Sequence, residues 1–210
     1  MKNIIDEYEV IDRIFELEKN TFDKRSEKIS TTPFTLINWS SSYLDFFPYE
    51  SSLNQSKPAL IYKDERETSI KNCYLDSKLI FSCDNRNNNW GSLFLEEYDN
   101  YKKSLLFVED DDENMTLKQL KIAYIKANKY TKVICYLNDE DDDEKSFYIY
   151  FFQYNNEKIV QITRYGFFEG LSKILPVVEF YFLYSNNEVR IISKDELGEE
   201  VLIYDGQIRQ

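Results

Sequence analysis

The side chains that could do chemistry in this chain are its carboxylates, because the common nucleophile systems have no base to work with. The sequence contains no histidine. That removes Ser-His-Asp and Cys-His catalysis, in which an imidazole takes and returns the proton. It also removes His-ligated zinc and iron centres. With only five glycines, neither a Walker-type phosphate loop nor a dinucleotide-binding glycine triplet is spelled out. The three cysteines, Cys73, Cys83 and Cys135, are odd in number and lack CxxC spacing. They predict neither a disulfide framework nor a zinc site, and a reducing, cytoplasmic setting is the expectation that follows.

The carboxylates are gathered in two runs, Glu109-Asp110-Asp111-Asp112-Glu113 and Asp139-Glu140-Asp141-Asp142-Asp143-Glu144. Neither run is a calcium loop. A loop starting at Asp139 places Glu144 where an EF-hand needs glycine and Tyr150 where it needs a bidentate carboxylate. A loop starting at Asp110 puts Lys121 at that last position. Both break the spacing that wraps twelve residues around the ion. Two carboxylates alone suffice for a glycosidase. Asp64 followed by Asp76-Ser77-Lys78 gives a faint version of the acidic-acidic-Lys arrangement of restriction-type nucleases. A carboxylate-dependent hydrolase, glycosidase or metal-dependent nuclease, is therefore the enzymatic alternative. No cofactor and no metal ligand set is expected.

Recognition explains the runs better. Carboxylates in rows imitate a phosphate backbone and attract Lys and Arg of a partner, which raises association rate and specificity. Neighbouring tyrosines supply the anchors that charge alone does not. The residues expected to bind a partner are Asp110, Asp111, Asp112, Asp139, Asp141, Asp142 and Asp143, with Tyr148 and Tyr150. The competing reading is that both runs are solvated connections and that the tyrosine face lies under a helix.

The totals agree with a protein partner. There are 38 acidic against 26 basic residues, a net charge of −12. Nucleic acid and anionic membranes both require clustered Lys and Arg, so neither is an expected partner. Met1-Lys2-Asn3-Ile4-Ile5-Asp6-Glu7 turns acidic at once and predicts no signal peptide. The apolar run from Phe147 to Phe152 is far too short to span a bilayer. Hydrophobic residues at 42% are enough for a core, and 210 residues fit a single domain over 1–210. Within it, 1–58 reads as helical and irregular and 59–210 as β-rich.

Ile4, Tyr8, Ile11, Phe15 and Phe22 recur at helical spacing and predict an N-terminal helix, ended by Thr31-Thr32-Pro33. Residues 34–58 read as irregular. Their cluster Tyr43-Leu44-Asp45-Phe46-Phe47-Pro48-Tyr49 is expected to plug the core rather than stand exposed. Strands are expected at 59–62, 78–83, 92–98, 104–109, 133–137, 147–154, 158–165, 177–184, 188–193 and 201–204. Leu117, Leu120, Tyr124 and Ala127 predict a second helix from Thr116 to Asn128.

Asn155-Asn156 and Asn186-Asn187 predict tight hairpins, since Asn tolerates the positive φ of such turns. The first would pair Phe151 with Val160, Ile149 with Ile162, Tyr150 with Gln161 and Tyr148 with Thr163. The second would pair Phe182 with Ile191 and Tyr184 with Val189.

The fold expected is α+β: a mainly antiparallel, twisted or partly closed sheet with the N-terminal helix and one mid-chain helix packed on it. In overall character (small, acidic, rich in Tyr, Asn, Lys and Ile, without catalytic groups) the chain resembles bacterial immunity proteins and other inhibitors of basic toxins or nucleases. That likeness is of composition and carries no motif. It implies a non-enzymatic, cytoplasmic binding protein that neutralises a basic partner. A structural subunit of an assembly is the third reading.

Overall fold

The computed structural model describes residues 4–67, 69–84, 91–139, 144–169, 173–195 and 197–208. The chain is built on one 14-stranded antiparallel sheet. Near the start come three helices, α1 (Ile4–Glu18), α2 (Phe22–Ser30) and α3 (Glu50–Leu53), and the strands β1 (Leu36–Ser40) and β2 (Ile61–Tyr62). A long meander follows: β3 (Ile70–Leu75), β4 (Lys78–Asp84), β5 (Gly91–Glu97), β6 (Tyr101–Glu109), β7 (Met115–Lys126), β8 (Lys129–Asp139), β9 (Glu144–Asn155) and β10 (Lys158–Phe168). The short β11 (Lys173–Ile174) folds back on β10, and β12 (Val178–Ser185), β13 (Glu188–Lys194) and β14 (Glu200–Gln207) complete the order. Strand order is β14-β13-β12-β10-β9-β8-β7-β6-β5-β4-β3-β1-β2. The sheet is large and open, with β14 and β2 as its outermost strands, which corrects the expectation of a twisted or partly closed one. Closure is not needed to hide its apolar faces, because the N-terminal segment covers both.

One face lies under α1 and α2. A cross-strand row of Phe81, Phe94, Leu105, Leu120, Tyr136, Phe147 and Phe167 runs from β4 to β10, each residue directly opposite the next. Opposed residues in an antiparallel pair share a face, so the row is a continuous apolar stripe. Tyr8, Ile11 and Phe15 of α1 are buried on it. The Phe15 and Tyr136 ring centroids are 4.8 Å apart. The Tyr136 hydroxyl donates to Asp12 Oδ1 at 2.5 Å.

The predicted N-terminal helix is present but divides in two. The Thr21 hydroxyl returns to the Glu18 carbonyl at 2.7 Å and occupies an acceptor the helix would otherwise leave open. Phe22 therefore starts α2, yet still packs against Phe94 and Phe107. Four charges pin the break to the sheet. Arg25 reaches Glu18 at 2.6 Å and also Glu96, while Lys103 reaches Glu18 at 2.5 Å and Glu96 at 2.9 Å.

The opposite face is covered by the irregular segment. Phe46, Phe47, Tyr49 and Leu53 are buried against Ala123, Val133, Tyr150, Phe152, Ile162, Phe180, Phe182 and Ile191. The aromatic cluster is thus a core plug, as its composition predicted. What that reading missed is β1, which pairs with β3 over its whole length.

The mid-chain helix does not exist; Met115–Lys126 is strand β7. Its register slips between Leu106/Phe107 of β6, so that Leu117 faces Phe107 and Leu120 faces Leu105. The extra residue is a β-bulge. On either side the apolar residues alternate, as Met115 and Leu117, then Leu120, Ile122 and Tyr124. The bulge turns a spacing of two into three at one point and so imitates a helical stripe. Ala127 and Asn128, assigned to that helix, have φ of 49° and 60° and form the tight β7–β8 turn.

The β12–β13 hairpin has the predicted register, with Phe182 opposite Ile191 and Tyr184 opposite Val189. The β9–β10 hairpin does not. Its strands first pair at Asn155 with Lys158, and a second irregularity between Ile159 and Gln161 shifts the rest. Tyr150 therefore faces Arg164, Tyr148 faces Gly166, Phe151 faces Thr163 and Ile149 faces Tyr165.

The Arg25–Lys103 cluster predicts acid sensitivity. Burial opposes ionisation of Glu18 and Glu96, but their bonds to Lys103 and Arg25 outweigh it, lowering the Glu18 pKa and bringing Glu96 down to about 2. Depressed carboxyl pKa values contribute stability that is present above the unfolded value and lost as pH falls through the folded one. Urea midpoints measured from neutral pH downward should fall between about pH 4.5 and 2. Glu96→Gln should flatten that part of the profile, and an unchanged profile would show that the cluster does not anchor α2.

Candidate functional site

Alternate turns of a meander fall on the same end of the sheet, and this parity sorts the charges. The β6–β7 turn, the end of β8 at Asp139, the start of β9 at Glu144, the exit of β10 and the β13–β14 turn all lie on one edge. Successive turns there are separated by two strands, about 10 Å. Asp111, Asp112, Glu113, Glu169, Asp195, Glu199 and Glu200 are exposed along this edge. The other edge carries the turns at Asp76-Ser77, Ala127-Asn128, Asn156-Glu157 and Asn186-Asn187, where Lys78, Lys126, Lys129 and Lys158 balance the acids.

The sequence-predicted residues divide accordingly. Asp111 and Asp112 stand exposed at the tip of the β6–β7 turn. Asp110 is half-buried and builds that turn, its Oδ1 accepting the Asp112 and Asn114 N–H groups at 3.0 and 2.8 Å. Asp139 ends β8 on the same edge; Asp141, Asp142 and Asp143 lie outside the described residues. Tyr148 and Tyr150 are not beside the acids. They project from β9 onto the plugged face, Tyr148 half-buried and Tyr150 2% exposed.

That face holds a cleft of about 580 Å³, bounded by the plug on one side and β7 to β14 on the other. Such a volume lies within the range of small-molecule sites. Its floor is set by two cross-strand rows. One is Lys121, Cys135, Tyr148 and Gly166, and the other Ala123, Val133, Tyr150, Arg164 and Val178. Gly166 is closely packed there: a Cβ would stand 2.7 Å from Leu175 Cδ1 and 3.2 Å from the Tyr148 ring, so both side chains would have to shift. Phe180, Val201 and Ile203 supply the apolar wall.

The polar groups of the cleft are mostly satisfied. Lys121 Nζ meets Glu50 Oε1 at 2.5 Å, and Glu50 Oε2 accepts the Phe46 N–H at 2.7 Å. Burial opposes the Lys121 charge, yet the Glu50 carboxylate overcomes it and the pKa is raised. The Tyr150 hydroxyl donates to Asn54 Oδ1 at 3.2 Å, and burial pushes its pKa up. Burial raises the Cys135 thiol to about 12, so it is no nucleophile near neutrality. All three cysteines are buried free thiols. Arg164 differs: its guanidinium stands 5.6 Å from the Tyr148 and Phe180 ring centroids, and among the described residues no carboxylate pairs with it.

Of the carboxylate candidates for hydrolysis, Asp64 stands exposed just after β2. Asp76 sits at φ 48° in the β3–β4 turn, and Lys78 pairs with Glu97 at 3.2 Å. In the cleft, Glu50 holds Lys121, and Asp195 accepts the Leu197 and Glu199 N–H groups. Among the described residues no group of three or more Cys, Asp or Glu is arranged to hold a metal ion, and no helix is long and apolar enough to cross a membrane.

Nothing in the linear sequence marked the cleft, because Glu50 and Lys121 are 71 residues apart and one of them lay in a segment read as helix. Lys121→Met should cost about 3 kcal/mol in chemical denaturation, since it strands the buried Glu50 carboxylate. Adding Glu50→Leu should recover most of the loss, and a double variant no better than the single would refute the pairing. No family model, curated protein or solved structure matches the chain.

Proposed function

We propose that this chain is a non-enzymatic acidic binding protein that neutralises a basic protein partner, in the manner of an immunity protein held against a bacterial toxin. The observation that carries this reading is the gathering of the acidic turns on one edge of the sheet. A net charge of −12 spread evenly would serve solubility alone. The exposed Asp111, Asp112, Glu199 and Glu200, gathered on one edge, would add a directional field that steers a cationic surface toward that edge. The turns are held by their own side chains: Asp110 and Asp195 each accept two backbone N–H groups. The carboxylates between them are thus presented on a fixed frame, which limits the ordering cost of binding. The absence of histidine fits a protein that acts by occupying a partner's surface.

The test is to mix or co-express the protein with the products of neighbouring genes and to look for a salt-sensitive complex. In such a complex, Asp111→Asn, Asp112→Asn, Asp139→Asn, Asp141→Asn, Asp142→Asn and Asp143→Asn combined should slow association about tenfold or more while altering dissociation much less, because rim charges act on encounter. Asp110 is left in place, since its removal would undo the turn. Glu157→Gln and Glu188→Gln on the other edge should leave the rate unchanged. Equal rates for the edge variant and the parent would sink the electrostatic site.

A further inference from the structure

We propose that the cleft on the plugged face is a binding site for a small amphipathic monocarboxylate, with Arg164 as the anion anchor. The inference is independent of the acidic edge. A guanidinium carries five N–H donors in a rigid fork shaped for a carboxylate. The chain offers 38 acidic residues, yet among the described residues none pairs with Arg164. Its described neighbours are the Tyr148 and Phe180 rings, each centroid 5.6 Å away, and the Tyr150 hydroxyl, whose ionised form it favours. Both rings stand within cation–π range and the Tyr150 hydroxyl shares a side-chain hydrogen bond with the guanidinium, so the fork has aromatic and hydroxyl neighbours but no anionic partner among the described residues. Gly166 opposite Tyr148 makes room for that ring.

The rest of the cleft defines the ligand. Lys121, Arg164 and Lys194 line it against Glu50 and Asp195, a surplus of one positive charge in a protein of net charge −12. Lys121 and Glu50 neutralise each other at 2.5 Å. Arg164 and Lys194 then face the one carboxylate of Asp195, and this net surplus of one positive charge suits a monoanion rather than a phosphate dianion. Val178, Phe180, Val201 and Ile203 offer an apolar wall for an alkyl or aryl body. The volume of about 580 Å³ is larger than a carboxylate alone requires, so the body is part of the fit.

The probes are octanoate and phenylpropionate, titrated into the full chain by calorimetry, with octanol and inorganic phosphate as controls. Octanoate or phenylpropionate should bind saturably at one site, and octanol and phosphate should bind at least tenfold more weakly. Arg164→Gln should lower carboxylate affinity about tenfold to a hundredfold, the worth of a charge-assisted hydrogen-bonded contact. Arg164→Lys should fall between, keeping the charge but losing the fork. Val178→Trp, which fills the wall, should abolish binding with Arg164 intact. Circular dichroism and the urea midpoint of each variant separate loss of the site from loss of the fold. The proposal is overturned if neither carboxylate binds, if octanol or phosphate binds as well as the carboxylates, or if folded Arg164→Gln binds like the parent.

Discussion

A sheet this wide has two faces, and in this chain both carry apolar side chains that water would otherwise wet. The whole architecture follows from covering them. Along the central strands the alternation that puts Phe147, Ile149 and Phe151 on one side puts Tyr148, Tyr150 and Phe152 on the other. Neither set is left to solvent. Residues before the meander divide between the two jobs: α1 and α2 take the stripe from Phe81 to Phe167, and the segment around Phe46 to Leu53 takes the side that carries Tyr150 and Phe182. Burial of a large aromatic side chain contributes about 2–3 kcal/mol, so these few contacts hold the covering segments on the sheet.

Apolar contact does not by itself fix position, and the partly buried charges supply what it lacks. Arg25 and Lys103 share Glu18 and Glu96 at the junction of α1 and α2. Lys121 reaches across from β7 to Glu50 in the plug. Buried ion pairs contribute little net stability, because desolvation offsets their attraction, but breaking one partner is costly. Each therefore penalises a shifted placement more than it rewards the correct one. Both pairings join the N-terminal covering segments to the middle of the sheet, so the long-range order of the fold rests on a handful of charges with matching partners.

Most of the strands, the N-terminal helical stripe and the aromatic plug were legible because each depends on a local period or cluster, whereas β1 and β3 carry too short a pattern to stand out. What defeated the reading was a one-residue irregularity at two places. At Leu117 and Leu120 a bulge stretched a strand period into a helical one. At Asn155-Asn156-Glu157 three turn-forming residues permit more than one closure, and the slip near Val160 moved the register further. The Asn186-Asn187 turn had no such ambiguity, and its register was readable. A shift by an odd number of residues moves a strand's side chains to the other face. The register read from the sequence sets Arg164 opposite Phe147, under the helices; the actual register sets it opposite Tyr150, in the cleft. Likewise the acidic runs were visible in the sequence, but their common edge was not, because a helix at 116–128 hides the parity of the turns between them.

The two charged features differ in the distance over which they act. The acidic edge is exposed, so its attraction for a cation extends about a Debye length, roughly 8 Å at physiological ionic strength, and fades as salt is added. Arg164 is half-buried among aromatic rings, where the effective dielectric is lower and the interaction is short-ranged and directional. An anion approaching from solvent is repelled by the net charge of −12 until it is inside the cleft, where the fork of Arg164 dominates. A partner met at the edge would be selected by sign and encounter rate, and a ligand of the cleft by shape and hydrogen-bond geometry. The two features meet at Asp195, which stands on the acidic edge and also lines the cleft, while Arg164 lies further in, on β10 opposite Tyr150.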